Sequence, residues 1–290
     1  MRIWDRKRSS YIEEKEFGKK QLEFLYYTFP GRLLLKYIIS QRWFSKIMAE
    51  RQKTKYSIRR ISPFVKKYHI HLSECEKRKF DSFEDFFTRK RNYMTETSSD
   101  ELPAVADARL TVCSIDENVR LHIKNSIYSL QELIAEKELP GKYENGICLV
   151  YRLAVEDYHR YVYPDDGYIM RTKNIPGVLH TVRPISEKYR VFSHNHRICS
   201  YLHTSHFSDM IQIEVGALLV GKIHNHKTKI FEKLQERGYF SYGGSTIIQL
   251  FQKDIVQIDK DILKMNEKGI EVKVSIGERI GITYKGEEKC

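Results

Sequence analysis

Residues 239–251 read YFSYGGSTIIQLF. Apolar runs of strand-like composition on both sides of a Gly-Gly pair predict strands around a tight turn. The same four residues, Gly243-Gly244-Ser245-Thr246, also carry a chemical possibility. A serine hydroxyl follows directly on two glycines. Gly244 has no side chain to shield its carbonyl, and glycine reaches backbone conformations closed to other residues. The Ser245 hydroxyl can therefore attack the carbonyl of the peptide bond before it. That turns an amide into an ester and is a first step of chain self-cleavage. Taken alone, GGST is more often a turn than a cleavage site, so the rest of the chain must decide.

Short apolar runs recur on either side, at residues 109–114, 146–155, 189–192, 211–223 and 269–275, rich in β-branched residues and bounded by turn signals. Helical spacing interrupts them at 129–138 and 255–266. The first 95 residues read differently. Residues 22–27, 33–39 and 43–48 place apolar and aromatic side chains at helical spacing, with Pro30-Gly31 as a break. Residues 92–103, NYMTETSSDELP, read as a linker. The expected fold is α+β, with a helical N-terminal region (1–95) followed by a mostly antiparallel β-rich domain (96–290). There is no internal repeat and no low-complexity segment.

At 290 residues the chain holds one large domain or two smaller ones. Charged residues make up 30% and mean hydropathy is −0.52, a soluble-type composition. No run of about 18 apolar residues is present to span a bilayer as a helix. The opening MRIWDRKRSSYIEEKEFGKK has positive charge but no apolar stretch, so no secretory signal is expected. The expected location is the cytoplasm or the cytoplasmic face of a membrane. Five scattered cysteines without a CxxC pair suit a reducing compartment and argue against a cysteine zinc site. The net charge of +12 suits nucleic acid, anionic lipid or an acidic partner alike. No nucleic-acid module emerges from the spacing. Residues 24–48 are aromatic and apolar, flanked by Arg32, Lys36, Arg42 and Lys46. That pattern fits an interfacial helix pair on lipid, or equally an amphipathic pair packed on the domain.

Two patterns are decoys. GALLVGKI at 216–223 nearly matches a P-loop, but Ile223 stands where a magnesium-binding hydroxyl is needed, and the run reads as a buried strand. His194 with His196, and His224 with His226, form HxH pairs that share a strand face. No carboxylate or cysteine ligand stands at motif spacing, so no metal site is expected. Two further segments bear chemistry. VEDYHRYVYPDDG at 155–167 packs Asp157, His159 and Arg160 together, and histidine is the usual proton shuttle at neutral pH. In AVADARLTV at 104–112, Asp107 interrupts an apolar stretch and needs partners if buried. Singly, these read as a strand-end ion pair and a turn aspartate.

Taken in order, the segments carry a resemblance. SFEDFFTRK at 82–90, the segment around Asp107, DYHR at 157–160, PGVLHTVRPI at 176–185, VGALLVGKI at 215–223, GGST at 243–246 and SIGERIG at 275–281 span nearly the whole chain. Together they resemble the phosphatidylserine decarboxylases, in a bacterial branch. The resemblance implies a membrane-associated enzyme of phospholipid biosynthesis, peripheral on the cytoplasmic side, that turns phosphatidylserine into phosphatidylethanolamine. It implies an Asp107-His159-Ser245 arrangement, with histidine as base, aspartate orienting it and serine as nucleophile. Cleavage between Gly244 and Ser245 would give a β chain (1–244) and an α chain (245–290). The α chain would begin with a covalent pyruvoyl group from Ser245, which forms a Schiff base with the substrate amine. A homodimer is compatible with this. One departure matters. Many members carry H-x-x-H in the DYHR segment, and here the second position is Val162. His180 and His196 are the alternative bases. Ala108 replaces a frequent glycine and stays small. Two other readings remain open: a pyruvoyl-dependent decarboxylase of a soluble amino acid, and a non-catalytic lipid-binding relative.

Overall fold

The structure is a computed structural model that describes residues 2–14, 18–77, 79–92, 97–123, 126–136, 141–218, 222–243 and 245–284. Ser245–Phe251 is a strand, buried at every position, in the interior of a ten-stranded sheet. A strand covered on both faces needs no alternation, which suits Ile247, Ile248, Leu250 and Phe251. Ser208–Gly216 lies on one side of it and Ile147–Leu153 on the other, both antiparallel. Beyond Ser208–Gly216 the sheet continues with Arg197–Thr204, Gly167–Ile175 and Ile230–Phe231. Beyond Ile147–Leu153 come Ala108–Ser114, Glu271–Val274, Arg2–Asp5 and Ser10–Glu13. Among the described residues of this sheet, its strand pairs are antiparallel except Glu271–Val274 with Arg2–Asp5. A three-stranded sheet of Ile223–Asn225, Glu236–Phe240 and Arg160–Val162 stands beside the start of Ser245–Phe251. The main apolar core surrounds these sheets.

The helical part comprises α1 (Lys19–Tyr27), α2 (Phe29–Leu34), α3 (Arg42–Gln52), α4 (Ile61–Tyr68) and α5 (Phe83–Phe87). A second apolar cluster joins it to the sheet: Phe64 of α4 and Phe83, Phe86 and Phe87 of α5 pack with Tyr242, just before Ser245. The fold is α+β, helices first and mostly antiparallel sheet after.

Several local expectations change. Pro30 and Gly31 lie inside the first turn of α2, where proline's missing N–H is not needed. Thr28 Oγ1 accepts from the Gly31 N–H at 3.0 Å and separates α2 from α1. Residues 2–13, read as part of the helical region, hold the strands Arg2–Asp5 and Ser10–Glu13. The run at 189–192 is not a strand: a 3₁₀ turn, Pro184–Tyr189, leads through Arg190 at φ 48° into the short helix Val191–His194. The run at 211–223 is strand only to Gly216 and resumes at Ile223, and residues 219–221 lie outside the described residues. The helix at 129–138 is limited to Leu130–Ile134, and 255–266 divides into the strand Val256–Ile258 and the helix Lys260–Glu267. Of the linker at 92–103, Glu101–Pro103 forms a strand and 93–96 lie outside the described residues.

Candidate active site

Ser245 opens its strand with Gly216 opposite on one neighbour and Leu153 on the other. The residue is fully buried, and its Oγ has no hydrogen-bond partner. The loop before it is held at several points. Phe240 N–H donates to the His159 carbonyl and Ser241 N–H to the Lys222 carbonyl, both at 3.0 Å. Tyr242 N–H donates to Glu84 Oε2 of α5 at 3.1 Å. Gly243 has φ 141°, a conformation side chains rarely adopt, so a glycine is required there. Gly244, expected as the residue before the cut, lies outside the described residues.

His159 is also fully buried. Its ring lies 4.1 Å from that of Phe87, centroid to centroid. Nδ1 donates to the Asp157 carbonyl at 2.9 Å. A carbonyl can only accept, so the proton sits on Nδ1 and Nε2 carries the free lone pair. Nε2 has no partner. Burial pushes the ring's pKa down to about 3, helped by the cations Arg89 and Arg109; the Asp157 and Gly243 carbonyls work against this without closing a bond to Nε2. The imidazole is therefore neutral at physiological pH.

Asp107 is placed elsewhere. Its oxygens take a two-pronged bond from Arg91, at 2.9 and 3.1 Å, and Oδ1 also accepts the Ile276 N–H at 2.8 Å. No hydrogen bond joins it to His159 among the described residues; the Asp157 carbonyl occupies the position an orienting carboxylate would take. Behind the site lies a buried charge cluster. Arg109 and Arg152 face each other across adjacent strands. Arg109 pairs with Glu14, Glu156 and Asp157, and Arg152 with Glu14 and Glu271. Burial pushes the Asp157 carboxyl up, against the pull of Arg109.

The other expected residues fall apart from one another. Val162 is buried in the core, with its N–H on the Val105 carbonyl. His180 bonds through Nδ1 to the Tyr26 hydroxyl of α1 at 3.2 Å and stacks on Tyr189, which makes it a brace between α1 and the domain. His196 is nearer to Ser245: its carbonyl accepts the Gly216 N–H at 2.9 Å, and its Nε2 meets Asn174 Oδ1 at 2.8 Å. In the second HxH pair, His224 Nε2 meets Ser241 Oγ at 3.1 Å and His226 meets Glu236. Glu84, Arg109 and Arg152 were not singled out from the sequence. Glu84 sits inside SFEDFFTRK, but nothing in that string says which loop its carboxylate reaches.

The phosphatidylserine decarboxylase family model matches residues 83–282. The phosphatidylserine decarboxylase proenzyme 2 of Clostridium acetobutylicum is 49% identical over 287 residues, covering 97% of this chain and 98% of that protein. The phosphatidylserine decarboxylase proenzymes of Clostridium tetani and Clostridium novyi are 38% and 37% identical; each alignment covers 97% of this chain, with 98% and 99% of the relatives. The matched stretch runs from α5, whose Glu84 and phenylalanines hold the loop before Ser245, to the strand beyond the Ile276 turn that Asp107 fixes, and the chain belongs to the phosphatidylserine decarboxylase family.

Proposed function

We propose that the conversion of phosphatidylserine to phosphatidylethanolamine by this chain takes place at Ser245, through a covalent pyruvoyl group that the proenzyme makes from that residue. The observation that carries this reading is a pair of buried, unpartnered polar atoms, Ser245 Oγ and His159 Nε2, the second belonging to a ring that feels the Gly243 backbone two residues before Ser245. Leaving a buried polar group unsatisfied costs about 1–3 kcal/mol. A hydroxyl and an imidazole lone pair kept in that state fit a nucleophile and its base.

In this reading His159 Nε2 takes the Ser245 hydroxyl proton as Oγ attacks the Gly244 carbonyl. The C–O bond forms, the C–N bond breaks, and the amine leaves with a proton. β-Elimination then frees the Gly244 carboxylate from the ester. The resulting dehydroalanine takes up water and loses ammonia, leaving the pyruvoyl. The group's carbonyl supplies an electron sink for the pair left behind when carbon dioxide departs. His159, neutral in the folded protein, would hold or return a proton in the second reaction as in the first. Asp107 enters as a brace for Arg91 and the Ile276 turn, with the Asp157 carbonyl fixing the imidazole tautomer. The buried surroundings keep water scarce while charge develops.

Membrane contact belongs to the same proposal. No helix among the described residues is long and apolar enough to cross a membrane. Yet α1–α3 and their junctions leave Tyr27, Phe29, Tyr37, Trp43 and Ile47 each more than half exposed, beside Arg32, Lys36, Arg42 and Lys46. Aromatic rings with flanking cations suit the headgroup layer of an anionic leaflet. The enzyme then docks peripherally, on the cytoplasmic side. The test of the chemistry is the intact mass of the purified protein. Wild type should yield a fragment of ~5 kDa, scaled from chain length, starting at residue 245 with a blocked terminus. Ser245→Ala should stay whole at 34.5 kDa. A Ser245→Ala chain that still cuts there would overturn the assignment.

A further inference from the structure

A cleft of about 620 Å³ opens beside the Ser245 rung. One wall is α3, through Arg42, Trp43, Lys46, Ala49, Glu50 and Lys53; the other includes Leu179, His196, Gly216, Lys222 and Ser241. Gly216 is the cross-strand partner of Ser245, so the cleft reaches the strand rung where the reaction is placed. A side chain at Gly216 would come within 3.2 Å of Leu179, so the glycine keeps that wall open.

The lining is unequal in charge. Lys53 is answered by Glu50 at 2.7 Å. Arg42, Lys46 and Lys222 have no carboxylate within 4.0 Å among the described residues. Arg42 and Lys46 stand four apart on α3 and so share one face. The adjoining face carries Trp43 and Ile47, each 53% exposed. One helix thus offers its cations to the cleft with apolar side chains beside them, Trp43 lining the cleft as well, an arrangement that suits a lipid headgroup next to its tails. The other cleft near the site, about 360 Å³ beside Asp107, mixes its cations with Asp5, Glu74, Glu156 and Asp157 and has no comparable preference for an anion.

We propose that the cleft between α3 and the Ser245 rung binds the phosphodiester of the substrate headgroup, with Arg42, Lys46 and Lys222 as its cations. This rests on Ser245 being the reacting residue. The substrate carries two anionic groups, and only one suits a cationic clamp. A cation on the carboxylate would stabilise the charge that must be lost as carbon dioxide, favouring the ground state over the transition state. The phosphodiester keeps its charge throughout, so holding it anchors the substrate without that penalty.

The test uses the self-processed enzyme and short-chain phosphatidylserine below its micelle concentration, so that no surface is present. The Lys46→Ala/Lys222→Ala variant should raise KM for this monomer about tenfold or more, the scale of losing a charge-assisted bond, with a smaller change in kcat. Glycerophosphoserine should lose inhibitory strength in parallel. Lys46→Arg/Lys222→Arg should recover most of the loss, and Lys264→Ala, on a distant helix, should show none. An unchanged KM for the monomer overturns the proposal. So does weakening seen only on phosphatidylserine vesicles, which would assign these cations to the bilayer surface. Intact mass separates the two layers of the argument: wild type cut at 245 with an unaffected double variant defeats the cleft alone, and wild type that stays whole defeats the Ser245 reading and the cleft with it.

Discussion

A histidine packed against phenylalanine acts as a base only if its lone pair is aimed and its ring is neutral. For His159 the Asp157 carbonyl does the first by fixing the proton on Nδ1, and burial does the second. Glutamine at 159 can donate in place of Nδ1 but offers no basic nitrogen. His159→Gln should slow self-cutting at least 100-fold, within the range for losing a general base, read as a mass time course of newly made chain. Normal cutting would instead point to His196, whose carbonyl holds Gly216 opposite Ser245. The pH profile offers a second check. With its pKa pushed down to about 3, His159 stays neutral well below the ordinary histidine range. The cutting rate should therefore be level from pH 8 to about pH 5; a fall centred near 6.5 would mean that an ordinary, solvated histidine is the base.

Helix α5 connects two parts of the molecule that sequence alone leaves separate. Its Glu84 accepts the Tyr242 N–H, and Phe83 and Phe87 pack their rings against Tyr242 at 5.3 and 5.2 Å. Losing the carboxylate leaves a partly buried N–H without a partner. Glu84→Ala should lower stability by about 1–3 kcal/mol in denaturant unfolding and slow cutting, whereas Glu84→Gln, which keeps an acceptor, should cut close to normally. Equal slowing by both would mean that charge at 84 matters more than the bond. The contrast shows what was legible. The apolar runs at 146–155 and 245–251 announce the central strands because both faces are covered. Gly167–Ile175 and Arg197–Thr204 were missed because one carries Arg171, Thr172, Lys173 and Asn174 in succession and the other hides Arg197 and Ser200 in its burial pattern. The motif order pointed to Ser245 and His159. It did not show that Asp107 would be taken up by Arg91, because spacing along the chain says nothing of a cation 16 residues upstream folding back onto it. Arg2–Asp5 was unreadable for a related reason: RIWD becomes a strand only through its parallel pairing with Glu271–Val274 at the far end of the chain.

Next to that pairing of chain ends, charge is buried between the strands Ala108–Ser114, Ile147–Leu153 and Glu271–Val274. Arg109 and Arg152 stand opposite each other, an arrangement that repels on its own. Glu14 bridges them from the N-terminal segment, and Glu271 holds Arg152 from the C-terminal strand, with side chains 4–9% exposed throughout this group. Breaking such a cluster on one side costs about 3–5 kcal/mol, because it strands a buried cation. Glu271→Ala should show that loss in urea unfolding, and Glu271→Gln, which keeps hydrogen bonds but not charge, should recover only part of it; a change within about 0.5 kcal/mol, ordinary for surface sites, would show that Glu14 alone suffices. The same cluster sets a direction for pH. The folded pKa of Glu14 is lowered by Arg152 and Arg109 against the cost of burial, so its contribution is complete above the unfolded value of 4.5 and fades as pH drops through the folded one. The buried and half-buried histidines act earlier. His159 at about 3, and His180, His196 and His224 at about 4, all lie below the unfolded 6.5. Below 6.5 the unfolded chain binds protons that these four rings refuse, so their contribution to stability falls as pH drops from 6.5 toward 4, against the single opposing carboxyl of Asp157, which burial pushes up to about 6. Melting temperature measured between pH 8 and pH 5 should hold level above 7 and decline below 6.5. His180→Gln, which removes one such titration, should make the decline shallower; an equally steep decline in that variant would place the acid sensitivity elsewhere.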